Sequence, residues 1–167
     1  SLDKKIVGET YGSKISKAVK FLKKNKADYC FVSAPENVAW LLNIRGYDNP
    51  NSPIANARLI LNKKKELFLI ANKNNLQNLL LNKKIKKNQI LSIQSLPQFL
   101  YNLEGKNFII DNKTCSIFYE KIIKSKFNVF KFDDPIYKMK SIKNSSEIKH
   151  MIEAHKQDGL ALTKFIY

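Results

Sequence analysis

The chain has 167 residues, 44% of them hydrophobic, which suits one domain with its own core and a short attached element. The formal net charge is +16, from 30 basic and 14 acidic residues. No apolar run approaches the ~20 residues that cross a bilayer, and no basic-then-apolar leader opens the chain, so a soluble, cytoplasmic protein without a membrane partner is expected.

Only Arg45 and Arg58 are arginines; the other basic residues are lysines spread along the chain. Arginine is the residue that forks onto phosphate and guanine. Its scarcity, with no interleaving of aromatic and basic residues, argues for a solvated basic surface over a nucleic-acid site. A basic module binding nucleic acid or another polyanion is the alternative reading. Cys30 and Cys115 lie far apart in apolar segments, as buried thiols do in a reducing compartment.

Residues 13–25 read as a helix. Ile15, Ala18, Val19 and Leu22 recur at i, i+3, i+4 and i+7 and share one face. Lysines cover the rest, and Ser13 is placed to cap the first amides. Residues 28–33 (Asp-Tyr-Cys-Phe-Val-Ser) are aromatic and β-branched and read as a buried strand. A short helix follows, with Pro35 in its first turn, where an amide has no partner. Val38, Trp40, Leu41 and Leu42 form its apolar side, and Trp40 is expected in the core. Gly46 is expected to take the left-handed turn that ends the helix. Residues 47–56 have no regular pattern. Pro50 and Pro53 hold Asn49 and Ser52 toward extended geometry, which predicts a stiff polar loop.

Residues 58–62 and 66–71, joined by Lys63-Lys64-Lys65, read as an antiparallel hairpin. Helices are expected over 72–81, 95–103 and 114–124, and strands over 90–93, 107–111 and 128–132. In the 114–124 helix, Ile117, Phe118, Lys121 and Ile122 fall at helical spacing. Strands alternating with helices argue for an α/β fold, and the hairpin makes its sheet mixed, flanked by helices.

Asp133-Asp134-Pro135 interrupts that series, and residues 137–143 read as a connector. A long helix then begins at Asn144, with Glu147 three residues on in a capping-box arrangement. Ile148, Met151, Ile152, His155, Gly159, Leu162 and Ile166 form one stripe along it. Little in the chain is left to bury that stripe, so the helix reads as the first element of a further domain. The start at Ser1, without methionine, and the apolar end at Tyr167 are expected of a segment of a longer protein.

Two stretches carry a family resemblance. Asn37-Val38-Ala39-Trp40-Leu41-Leu42-Asn43-Ile44-Arg45-Gly46, followed by Asp48, Pro50 and Pro53, resembles the signature of the middle domain of Xaa-Pro aminopeptidase (aminopeptidase P), in its long three-domain form. Met139-Lys140-Ser141-Ile142-Lys143-Asn144, Glu147-Ile148 and Ala154-His155-Lys156-Gln157-Asp158-Gly159 resemble that family's entry into its catalytic domain. The resemblance implies a creatinase-like, ribonuclease-H-like domain over 1–136. It implies the connector and first helix of a "pita-bread" catalytic domain over 137–167. In the family, that later domain binds two divalent metals, typically manganese, through two Asp, one His and two Glu. It releases the N-terminal residue that precedes proline.

This chain has two histidines, His150 and His155, on different sides of one helix, and the resemblance places no metal ligand and no catalytic residue within it. His155, on the apolar stripe, is expected to pack. The segment alone is expected to be inactive. Its partners would be its own catalytic domain, a peptide with proline second, and a second copy in a homodimer. Arg45 offers a bidentate fork that lysine cannot copy. It can hold Asp48 locally or reach a substrate carbonyl or carboxylate. The expectation is that Arg45, Tyr47 and Asp48 border the substrate cleft. After Pro50 the chain departs from the family's aromatic-rich run, with small and polar residues from Asn51 to Ala57.

Overall fold

Tyr29–Val32 forms β1, and all four of its residues are buried. Alternation along the strand sends Cys30 and Val32 into one core and Tyr29 and Phe31 into another. A strand with no polar face has to be covered on both sides. The computed structural model describes residues 2–72 and 85–167, and it shows how that covering is done.

β1 lies within a six-stranded sheet of order β4-β3-β2-β1-β5-β6. β2 (Arg58–Asn62) and β3 (Leu67–Ile70) are the expected hairpin. β4 (Ile90–Leu91), β5 (Asn107–Ile110) and β6 (Asn128–Lys131) complete the sheet. β1 runs antiparallel to β2 and parallel to β5, so the sheet is mixed. Helices α1 (Lys4–Val7), α2 (Tyr11–Lys24) and α3 (Pro35–Leu42) precede the hairpin. α4 (Leu96–Asn102), α5 (Ile117–Lys124), α6 (Pro135–Ser141) and α7 (Ser145–Ile166) follow it. One core packs α2, α3 and Ile136 of α6 on the Cys30 side of the sheet. The other packs α4 and α5 on the Phe31 side, around a cluster in which Tyr29, Phe108 and Phe127 meet with ring centroids 5.2–5.7 Å apart. The helix expected over 72–81 falls, beyond Asn72, outside the described residues.

Several local expectations shift. α2 begins at Tyr11, and its cap is Thr10, whose hydroxyl accepts the amide of Ser13 at 3.3 Å. α1 went unread because four residues carry no periodicity. α5 begins at Ile117, not 114, because residues 111–115 form a turn in which the Cys115 amide bonds the Asp111 carbonyl at 2.8 Å. Its buried residues are therefore Tyr119 and Ile123, while Ile117 and Phe118 are exposed. The expected connector over 137–143 is mostly helix. Asp134 caps α6, Pro135 opens it, and Ile136 is its buried anchor.

α7 starts as expected. Asn144 and Glu147 close a full capping box. Every residue from Ile148 to Tyr167 is exposed, the apolar stripe and His155 included. His155 therefore does not pack against the described residues; the last residue of α7 that faces this domain is Met151, one turn earlier.

Candidate functional site

The site is built outward from the end of α3. Asn43 is the residue that ends this helix, in the left-handed conformation with φ 52° and ψ 50°. Asparagine visits that region at small cost. Gly46, the expected cap, has a different task. Its amide donates to the Pro53 carbonyl at 2.9 Å, and a Cβ there would stand 2.4 Å from the Ala55 Cα. Glycine is needed for that close approach of two backbones.

The Asn43 side chain is buried and bonds twice. Its Oδ1 accepts from Lys14 Nζ at 2.7 Å, and its Nδ2 donates to the Glu9 carbonyl at 2.8 Å. Lys14 is 1% exposed. Its Nζ also donates to the Trp40 carbonyl at 3.0 Å and lies 3.8 Å from the indole centroid. Burial pushes this ammonium down from its ordinary 10.5 to about 8; Arg45 and Lys17 act the same way, and Glu147 and Glu9 oppose them.

Trp40 is half-buried rather than fully within the core. Its Nε1 donates to Glu147 Oε1 at 3.2 Å. The other oxygen of Glu147 accepts the Asn144 amide at 2.9 Å. One carboxylate thus closes the cap of α7 and joins α7 to α3. Asn144 Nδ2 donates to the Val7 carbonyl at 2.9 Å, bringing in α1. Gly8 turns there with φ 74°, and a Cβ on it would sit 2.3 Å from Asn144 Oδ1.

These elements enclose a cavity of about 290 Å³. Ile6 and Val7 give it an apolar wall, Trp40 borders it, and His150 and Met151 of α7 face it. Arg45 lines it too, its Nη1 donating to the Ile44 carbonyl at 3.2 Å. Tyr47 is 98% exposed and Asp48 is exposed; neither lines the cavity. Asp48 Oδ2 accepts the Asn56 amide at 2.6 Å, and Arg58 Nη1 donates to Asn56 Oδ1 at 2.5 Å. Of the three expected cleft residues, the structure brings Arg45 alone to the cavity. It adds Lys14, Asn43 and Glu147, which sequence reasoning missed as a set. One signal was present: Lys14 stands one residue before Ile15 and four before Ala18, at the edge of the buried stripe.

A second polar cluster closes the carboxyl ends of β1 and β5, where open α/β sheets often bind ligands. Asn37 donates to Asp134 Oδ2 at 2.8 Å and accepts from Lys140 Nζ at 2.8 Å. Asp111 Oδ2 accepts the Asp134 amide at 3.2 Å. Burial pushes the Asp134 carboxyl up and Asp111 adds to that, against the bonds from Ile136 and Asn37. The chain's own side chains fill this crevice. Among the described residues, no group of three or more His, Cys, Asp or Glu could hold a metal ion. The cysteines are free and buried, and burial raises the Cys30 thiol well above its ordinary range.

Sheet order and layering define a three-layer α/β domain with a mixed sheet. Residues 1–147 match the Creatinase/Prolidase N-terminal domain family, and the chain belongs to that family. It is 31% identical to Xaa-Pro aminopeptidase 1 of Dictyostelium discoideum over 99% of its own length and 26% of that protein's. The fold superposes with a TM-score of 0.80 on X-prolyl aminopeptidase of Caenorhabditis elegans, described as a cytosolic enzyme with a di-nuclear active site. That match has 22% identity and covers 99% of this chain and 28% of the other. A proline dipeptidase from Streptococcus pneumoniae superposes at 0.58 with 16% identity, over 78% of this chain and 98% of the other. The chain thus spans about a quarter of the length of its aminopeptidase relatives.

Proposed function

We propose that this chain is the non-catalytic, creatinase-like part of a cytoplasmic Xaa-Pro aminopeptidase. Residues 1–136 form that domain, and 137–167 form the connector and first helix of a catalytic domain. The substrate is a peptide with proline at its second position, cut before the proline. Two divalent metals, manganese in this reading, are held by the further domain. No step of the reaction is assigned to the residues of this chain.

The observation that carries the reading is kinship with an Xaa-Pro aminopeptidase along 99% of the chain. The cavity supports a role at the seam. Arg45 lines it from the domain side, and His150 and Met151 line it from α7, the helix that leads into the further domain. The apolar stripe of α7 is the face that domain covers. Arg45 would border the substrate cleft, with Tyr47 and Asp48 further out on the same loop.

The test uses the full-length parent. Arg45→Ala is expected to lower kcat/KM for an Xaa-Pro peptide with the fold intact; an unchanged value removes Arg45 from the cleft. Hydrolysis of such a peptide by the 167-residue chain alone would overturn the non-catalytic assignment.

A further inference from the structure

Lys14 is an unusual residue to bury. A methionine fills nearly the same volume without desolvating a charge, and a buried ammonium is costly unless hydrogen bonds and charge partners offset its lost hydration. Here its contacts converge on Trp40. The ammonium bonds the Trp40 carbonyl and lies 3.8 Å from the centre of its ring, so it holds both ends of that residue. Trp40 in turn holds Glu147, the capping carboxylate of α7.

We propose that Lys14 is a positioning residue: through Trp40 and Glu147 it sets the direction in which α7 leaves the domain. The geometry makes that direction sensitive. α7 has 22 residues, and its close contacts with the domain are confined to its first turn and the cavity beside it. A helix of that length runs roughly 33 Å at 1.5 Å per residue. A small rotation at Glu147 therefore becomes a large displacement at its far end. The inference rests on the proposed peptidase reading only for what α7 carries; the Lys14–Trp40–Glu147 link stands without it.

The charges around the ammonium come from every element packed there. Glu9 precedes α2, Lys17 lies on α2 and Arg45 follows α3. Lys140 and Lys143 come from α6 and its exit, and Glu147 and His150 from α7. Burial is what makes this ammonium give up its proton near pH 8; Glu147 and Glu9 oppose that more strongly than Arg45 and Lys17 assist it. Once neutral, Lys14 loses its attraction to the indole face and to Glu147, and the link loosens.

Two measurements on the 167-residue chain test this. Trp40 is its only tryptophan, so its emission reports the contact directly. A single emission step near pH 8 is expected, lost in Lys14→Met and also in Lys14→Arg, which keeps its charge throughout. Spin labels at Lys20→Cys and Lys164→Cys, both exposed, then report the direction of α7. The native Cys30 and Cys115 are buried and spared. At pH 7 one narrow distance is expected in the parent and in Lys14→Arg, and its loss in Lys14→Met. Trp40→Phe, which keeps a ring and removes the N–H donor, is expected to lose it too, and covers a failure of Lys14→Met to fold. An unchanged distance in folded Lys14→Met or Trp40→Phe, or a pH 8 step that persists in Lys14→Met or Lys14→Arg, overturns the proposal. Absence of peptidase activity in the full-length parent would sink the proposed function and leave these readouts untouched.

Discussion

Gly46 and Ala55 meet backbone to backbone: a Cβ on Gly46 would stand 2.4 Å from the Ala55 Cα and 2.6 Å from its nitrogen. The contact pins the two ends of the loop that carries Tyr47 and Asp48, beside the Gly46-to-Pro53 hydrogen bond. Backbone cannot rotate aside as a side chain can, so an added methyl has to push the strands of the loop apart. Gly46→Ala is expected to cost about 2 kcal/mol, in the range of overpacked sites. A urea midpoint lowered at constant slope checks this.

The face of α5 gives a second prediction. Tyr119 packs its ring 5.0 Å from Phe31, and Phe118 beside it is 52% exposed. Tyr119→Ala is expected to lower stability by about 3 kcal/mol, as loss of a buried aromatic does. Phe118→Ala is expected to stay within about 0.5 kcal/mol of the parent. Equal costs in thermal melts would mean that Phe118 is packed as tightly as Tyr119, against this arrangement of the helix.

That pair shows where the sequence was legible and where it stopped being so. The stripe of α2, the hairpin, the strands of the sheet and the cap of α7 follow from local chemistry, because periodicity, turn residues and capping pairs act within a few positions. The start of α5 differs because residues 111–115 form a local turn whose Cys115-to-Asp111 backbone bond has the spacing of a helical turn, so residue spacing alone does not separate that turn from the helix after it. Glycine at position 46 suits a positive-φ cap on local grounds, whereas the contact that needs it, with Ala55, lies nine positions away across a loop. The site was legible only at Arg45, a compositional oddity. Lys14 and Glu147 sit at opposite ends of the chain, and no local pattern links them. Their connection passes through Trp40, whose indole nitrogen needs a partner that sequence spacing does not name.

Asn43 combines a left-handed backbone with two buried hydrogen bonds, and the two contributions separate by substitution. Asn43→Gly keeps the conformation and loses both bonds, leaving Lys14 with one carbonyl partner fewer than it needs. The expected cost is about 2 kcal/mol. Asn43→Ala adds the penalty of a Cβ in the left-handed region, about 1 kcal/mol more. Urea titration of both variants checks the order: parent, then glycine, then alanine. If alanine matches glycine, the backbone has moved out of the left-handed region and Asn43 is not the cap.

Asp28 gives a pH dependence with a definite sign. Burial works against its charge, but the Lys63 ammonium at 2.6 Å and the amides of Lys106 at 2.8 Å and Asn107 at 3.1 Å outweigh that. Its carboxyl is held down from the ordinary 3.8 to about 2. The folded chain therefore releases this proton more readily than the unfolded chain does. The stabilisation is fully present above pH 3.8 and is lost as pH falls through the window down to about 2. In Asp28→Asn the carboxylate is gone, so this part of the acid sensitivity disappears. Thermal melts of parent and variant from pH 7 to pH 2 are expected to converge toward the acid end. The parent should be the more stable at neutral pH, because Asp28 ties the starts of β1 and β5 to the hairpin turn. A constant gap across the whole range would mean that Asp28 acts through shape and hydrogen bonding alone, without its charge.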